Sequence, residues 1–171
     1  MLRFHEQEFG KPALDAGVSG GDLHFNLSHS HDLAVVAVTD IAPVGVDVEF
    51  ERTIPDWESV ASRFFSPQEQ AQLAAIDAGQ RQHAFYNCWT RKEAVIKATG
   101  EGLSARLDSF DVSLLPNAGA EVLADRRGGS TEGRWQMQHI EPKPGYVGAV
   151  AMRSSRAFEL VHHSDWLVVA L

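Results

Sequence analysis

Apolar and polar side chains alternate along two early segments of the chain. LHFNLSHS, residues 23–30, sets Leu23, Phe25 and Leu27 against His24, Asn26 and Ser28, the period-two signature of a strand. VGVDVEF, residues 44–50, puts Val44, Val46, Val48 and Phe50 on one face and Asp47 and Glu49 on the other. Between them LAVVAVTD, residues 33–40, is β-branched and continuously apolar, as in a strand covered on both faces. The pattern then changes period. Asp56 is placed to cap a helix running to about Phe64, and Ser66-Pro67 opens a second with proline in its first turn. A third helix runs from about Gln80 to Thr99 and stops at Gly100-Glu101-Gly102. Strand patterns return at 110–115, 135–141 and 146–153, separated by DRRGGSTEG and PKPG, and residues 158–171 read as one or two more. Strands, a helical block and strands again predict an α+β fold.

The third helix breaks its own pattern. At about 100° per residue, Phe85, Cys88, Trp89, Val95, Ile96 and Thr99 share one arc, and Lys92 falls inside it. Glu93 lies at the edge of the arc, with Lys97 beyond it on the same side. A lysine on a core-facing stripe costs several kcal/mol unless it is paired, so either it reaches out to solvent or something anionic meets it.

Composition narrows the class. The chain has 171 residues, enough for one domain with a substantial core or for two small lobes. Its 44% hydrophobic and 22% charged content is that of a soluble globular protein. Cys88 is the single cysteine and forms no internal disulfide, which together with the lack of a signal-peptide h-region predicts a cytoplasmic setting. No apolar run reaches the ~18 residues of a membrane span. A net charge of −8 argues against nucleic acid as a partner. Within residues 81–107, however, Arg81, Arg91, Lys92, Lys97 and Arg106 face only Glu93 and Glu101, a basic island suited to one localised anion or to a solvated helix face.

Several residues could carry chemistry. Asp47 and Glu49 lie about 7 Å apart along one strand face, a spacing at which two carboxylates can share a hard cation such as Mg2+; a solvated strand face is the plain alternative. Glu93 and Lys97 form an i, i+4 pair, which alone is an ordinary surface contact. A bound phosphate would account for Lys92 as well, with Glu93 as metal ligand or base. In NLSHSHD, residues 26–32, the serines, histidines and Asp32 allow triad or metal readings, but a polar hairpin turn explains them equally. Cys88, on the apolar arc, reads as core.

Five fragments taken together carry a resemblance. FGKP (9–12), FNLSHS (25–30), VGVDVE (44–49), RFFSPQE (63–69) and WTRKEAVIKATGEGL (89–103), in this order and spacing, resemble the 4'-phosphopantetheinyl transferases of the surfactin-synthetase type. The resemblance covers residues 4–115 and extends loosely to the C-terminal strands. It implies transfer of the 4'-phosphopantetheine arm of coenzyme A to a serine of an acyl or peptidyl carrier protein, with release of adenosine 3',5'-bisphosphate. It also implies a pseudo-dimer of two similar α+β lobes with the active site between them, here with the first lobe incomplete: residues 1–42 as a remnant of the N-terminal lobe and 43–171 as the C-terminal lobe. Carried over, Asp47, Glu49 and Glu93 would bind Mg2+, with Mn2+ as the substitute. Lys97 would touch the transferred phosphate, Glu93 would also serve as base, and Lys92 would hold coenzyme A phosphates from the interlobe cleft. Lys11, Ser28 and His29 would bind the 3'-phosphate end of the nucleotide, and Glu69 is a lesser candidate near the site.

Members of this type carry a longer segment before FGKP. A shortened reading frame, a short form that completes its lobe by homo-oligomerising, and a degenerate protein are three accounts of the difference. The smaller single-lobe relatives, trimers with sites between subunits, provide a precedent for the second. Two rival functions follow: a non-catalytic module that binds coenzyme A or a carrier protein, and a metal-dependent phosphohydrolase built on HSHD.

Overall fold

A computed structural model describes residues 3–15, 23–102, 105–115, 118–128, 133–163 and 166–169. It is an α+β arrangement built around a three-stranded antiparallel sheet. β1 (Phe4–Glu6) and β2 (Pro12–Leu14) form a short hairpin, and β3 (His24–Ser30) pairs with β4 (Leu33–Thr39). β5 (Val44–Phe50) leads to α1 (Trp57–Phe64), α2 (Pro67–Ala75) and α3 (Arg81–Thr99). β6 (Phe110–Val112) pairs with β7 (Val122–Asp125), β8 (Arg134–Ile140) with β9 (Tyr146–Ser154), and β10 (Leu160–His163) with β11 (Trp166–Val169). The central sheet has the order β5-β9-β8, with Asp47 opposite Ala149 and Glu49 opposite Val147. No helix among the described residues is long and apolar enough to cross a membrane.

The predicted helix signals act as physics requires. Ser66 Oγ accepts the Glu69 backbone N–H and the Ser66 N–H donates to the Glu69 carboxylate, a complete capping box ahead of Pro67. Gly100 takes a left-handed φ of 73° and its N–H returns to the Ile96 carbonyl, which ends α3. α1 begins one residue after Asp56, whose side chain makes no cap bond. The strand expected at 110–115 is shorter, Phe110–Val112, and its register with β7 shifts between Asp111 and Val112. The hairpin β1–β2 and strand β7 arise from three- and four-residue segments that the alternation did not mark.

α3 crosses β5 and β9 on one face of the central sheet. The approach is closest at Gly45, where a Cβ would overlap the Ala94 carbonyl and the Ala98 amide. Phe85, Val95, Phe110, Val147 and Ala149 belong to the core on this side. On the other face Val44, Val46 and Val48 pack against Val35, Ala37, Val150 and Met152. α3 is thus buried almost all round, and Cys88 is core as expected. Asp47 and Glu49, opposite the valines, face the helix side, where Glu93 and Lys97 also stand.

Candidate active site

The construction starts at β5. Its one edge pairs with β9, and on the other edge the N–H groups of Val46, Val48 and Phe50 need acceptors. β3 runs beside that edge and supplies them from side chains: Asn26 Oδ1 at 2.9 Å, Ser28 Oγ at 3.2 Å and Ser30 Oγ at 3.1 Å. The polar set of the β3 alternation is therefore the buried one, while Leu27 is 47% exposed. Each serine then relays its own proton. Ser28 Oγ donates to Asp47 Oδ1 at 2.9 Å, and Ser30 Oγ donates to Glu49 Oε2 at 2.7 Å. Period two on β3 matches period two on β5, so two hydroxyls orient two carboxylates.

α3 adds the cation. Lys97 Nζ lies 2.6 Å from Asp47 Oδ1 and 3.0 Å from Ser28 Oγ. Lys97 and Glu93 also line a cavity of about 380 Å3, walled by Lys11, Phe64, Trp89 and Leu107. Burial pushes the Asp47 carboxyl up to about 7; Lys97 opposes this and Glu93 adds to it. The Glu93 carboxyl is likewise raised, first by burial, with Lys97 opposing and Glu49 adding. Coulombic coupling of Glu93 to Asp47 and of Glu49 to Glu93 makes the three acids one electrostatic cluster.

Among the described residues, no three His, Cys, Asp or Glu side chains already stand in position to hold a metal ion together. The donor set nevertheless fits a hard divalent cation. Asp47 is only 5% exposed, and its Oδ2 is buried with no hydrogen-bond partner. A buried carboxylate oxygen left this way carries a desolvation cost that a cation would offset.

The other expected site residues separate. Lys11 Nζ donates to the carbonyls of Val44 at 3.0 Å and Ala98 at 3.2 Å, fastening β5 to the end of α3. Burial lowers its ammonium to about 8. Its stem also lines a second cavity of about 370 Å3 with His24, Arg127 and Trp135. His29 is exposed on the face of β3 opposite Ser28 and is not brought to the cluster.

Lys92 corrects the expectation of a cleft-facing phosphate lysine. It is 0% exposed, and its anionic partner is internal: Glu69 Oε2 at 2.8 Å. Glu69 is buried with it and lines no wall of the cavity shared by Glu93 and Lys97. The HSHD segment is pinned structurally as well. Asp32 accepts from Tyr146 Oη and from Lys143 Nζ, which hold its carboxyl down at about 2, and His31 stacks on Phe50 at 5.0 Å. The sequence does not single out Asn26 and Ser30 as residues that hold β5; the signal for them is their two-residue spacing from Ser28.

Comparisons with known proteins agree on one family. Residues 43–151 match the model of the 4'-phosphopantetheinyl transferase superfamily. The chain is 36% identical over 152 residues to the 4'-phosphopantetheinyl transferase HetI of Nostoc sp., covering 89% of this chain and 61% of that one. It is 42% identical over 113 residues to the 4'-phosphopantetheinyl transferase Sfp of Bacillus subtilis, covering 66% and 48%. It is 37% identical over 162 residues to the 4'-phosphopantetheinyl transferase psf-1 of Bacillus pumilus, covering 94% and 65%. The chain therefore spans between about half and two thirds of the length of these relatives. In fold it is similar to the holo-[acyl-carrier-protein] synthase of Thermotoga maritima, with a TM-score of 0.54 at 20% identity over 71% of this chain and 68% of that one.

Proposed function

Because this chain belongs to the 4'-phosphopantetheinyl transferase superfamily, we propose that it transfers the 4'-phosphopantetheine arm of coenzyme A to a serine hydroxyl of an acyl or peptidyl carrier protein. The observation that carries this reading is the serine-oriented pair Asp47 and Glu49 facing Glu93 and Lys97 beside a cavity. In the reaction the carrier serine oxygen forms a bond to the phosphorus bearing the pantetheine arm, and the bond to adenosine 3',5'-bisphosphate breaks. Such a transfer needs positioning and charge stabilisation more than covalent help. Lys97 supplies positive charge where negative charge develops. Glu93, its carboxyl raised by burial, is the group this reading assigns to take the serine proton. Ser28 and Ser30 hold Asp47 and Glu49 in fixed orientation. Asp47, Glu49 and Glu93 would hold Mg2+, or Mn2+ in its place, which when bound supplies charge against the diphosphate.

In this reading Lys11 and Ser28 would contact the 3'-phosphate end of the nucleotide, while His29 stands exposed on the other face of β3. The same proposal places the chain in a pseudo-dimeric architecture, with residues 43–171 as the C-terminal lobe and 1–42 as part of an N-terminal lobe. The start of the family match at residue 43 supports that division. A cytoplasmic setting goes with it.

The test is mass spectrometry of an apo carrier protein incubated with the chain, coenzyme A and Mg2+. A mass gain of one phosphopantetheine arm is expected, and Asp47→Asn and Glu93→Gln are each expected to lower the rate at least ~100-fold. Calorimetric binding of coenzyme A without any mass gain would select the binding module instead, and full turnover by Asp47→Asn would remove the metal assignment.

A further inference from the structure

We propose that the buried Glu69–Lys92 pair is a positioning element that fixes the rotation of α3, and with it the aim of Glu93, against the wall of the reaction cavity. This rests on the transferase reading and adds residues to its machinery that make no contact with substrate.

Both charges are fully used inside the protein. The Lys92 ammonium has three donors, and they reach Glu69 Oε2 at 2.8 Å, the Leu107 carbonyl at 2.6 Å and the Phe110 carbonyl at 2.7 Å. The same nitrogen lies 4.4 Å above the centre of the Phe110 ring. Glu69 Oε1 accepts the Val112 N–H at 2.8 Å, and Oε2 accepts the Ser66 N–H at 2.8 Å besides Lys92. No donor of Lys92 remains for a phosphate, and both oxygens of Glu69 are engaged inside the protein.

A buried pair of this kind is weak support for stability, since apolar residues of similar volume often do as well or better. Its position suggests what it does instead. Lys92 immediately precedes Glu93 on α3, and the carbonyl it binds at Leu107 belongs to a residue whose side chain lines the cavity beside Glu93 and Lys97. Arg91, one residue earlier, adds a parallel tie, donating to the Ser113 carbonyl at 2.7 Å and its hydroxyl at 3.0 Å. Two consecutive cations therefore lash one turn of α3 to residues 107–113, while Glu69 ties in the start of α2. Rotating or sliding α3 enough to re-aim Glu93 would break all three Lys92 bonds. At a reacting centre a shift of about 1 Å costs roughly 100-fold in rate.

The experiment compares Lys92→Met and Lys92→Arg with Phe158→Leu, a truncation expected to destabilise the far-face core, where Phe158 is buried with Val46 and Met152. Assays run well below every melting temperature. Lys92→Met loses the charge, and Lys92→Arg keeps it in a planar fork that does not reproduce three convergent bonds. Both Lys92 variants are expected to lose about 100-fold in kcat with KM for coenzyme A unchanged, while Phe158→Leu keeps wild-type kcat at a comparable loss of Tm. A folded Lys92 variant that turns over like Phe158→Leu would overturn the proposal. Should neither Lys92 variant fold, Glu69→Asp shortens the same link by one methylene and the same split of kcat from KM is read there. Absence of transfer by the wild-type chain would sink the transferase reading instead. The positioning role would then be decided by titration with Mg2+ alone: affinity about tenfold weaker in the variant supports it, as for other residues that orient metal ligands, and unchanged affinity refutes it.

Discussion

The role proposed for Asp47, a charged carboxylate held in the interior, opposes its own folding. Burial raises its folded carboxyl from 3.8 to about 7, so between those values the folded chain binds more protons than the unfolded one. Stability of the metal-free protein therefore falls as pH rises from about 4 to about 7. Chelator-treated protein is expected to show this decline by thermal melting at a series of pH values. Asp47→Asn is expected to make it shallower, leaving the part due to Glu93, and to gain on the order of 2 kcal/mol at pH 8. A melting temperature for the metal-free wild type that rises across this window would contradict the assignment. Asp47 and Glu49 were legible in the sequence as two acids on one strand face, because alternation fixes side-chain direction. That Asp47 is buried was not legible, since period two distinguishes two faces without saying which one is covered. The same ambiguity hid Asn26, Ser28 and Ser30 as the inward set of β3. Lys92 showed only half of its story: the conflict with its arc was visible, but its partner Glu69 lies 23 positions earlier and on another helix.

Among the elements, α3 and β5 set the tolerance of the site. Their contact at Gly45 leaves no room for a methyl group, and the atoms in the way are backbone. Gly45→Ala is expected to cost at least about 3 kcal/mol or to prevent folding, read as a drop in the urea midpoint. An unchanged midpoint would mean that helix and strand are farther apart than described. Helix ends were legible because capping is local chemistry: Ser66-Pro67 with Glu69, and Gly100, act within four residues of themselves. The short hairpin β1–β2 and strand β7 lack enough residues for a period to show. Their pairing partners, not their own patterns, make them strands.

For the molecule as a whole, charge is distributed so that one acidic cluster meets one lysine inside a protein of net charge −8. A ligand that binds only the folded state stabilises by mass action. Mg2+ at about 100 times its Kd is expected to contribute about 2.7 kcal/mol, which for a domain of this size raises Tm by roughly 5–10 °C. Differential scanning calorimetry with Mg2+ against chelator checks this, and the shift should vanish in Asp47→Asn. A wild-type Tm indifferent to Mg2+ and Mn2+ would argue that the three acids hold no divalent ion. The family, once its five fragments were taken together, was the most legible feature at this scale, since motifs spread over the chain survive errors in any single element.

The seam between β3 and β5 is closed by three side chains where a sheet would ordinarily use its main chain. A strand ladder is indifferent to residue identity, so neighbouring strands usually drift in sequence without consequence for their pairing. Here the glue is spelled in the letters at 26, 28 and 30, and two of those letters also steer the acids. Loss of the hydroxyl at Ser28 or Ser30 therefore loosens the joint and releases a carboxylate in one stroke.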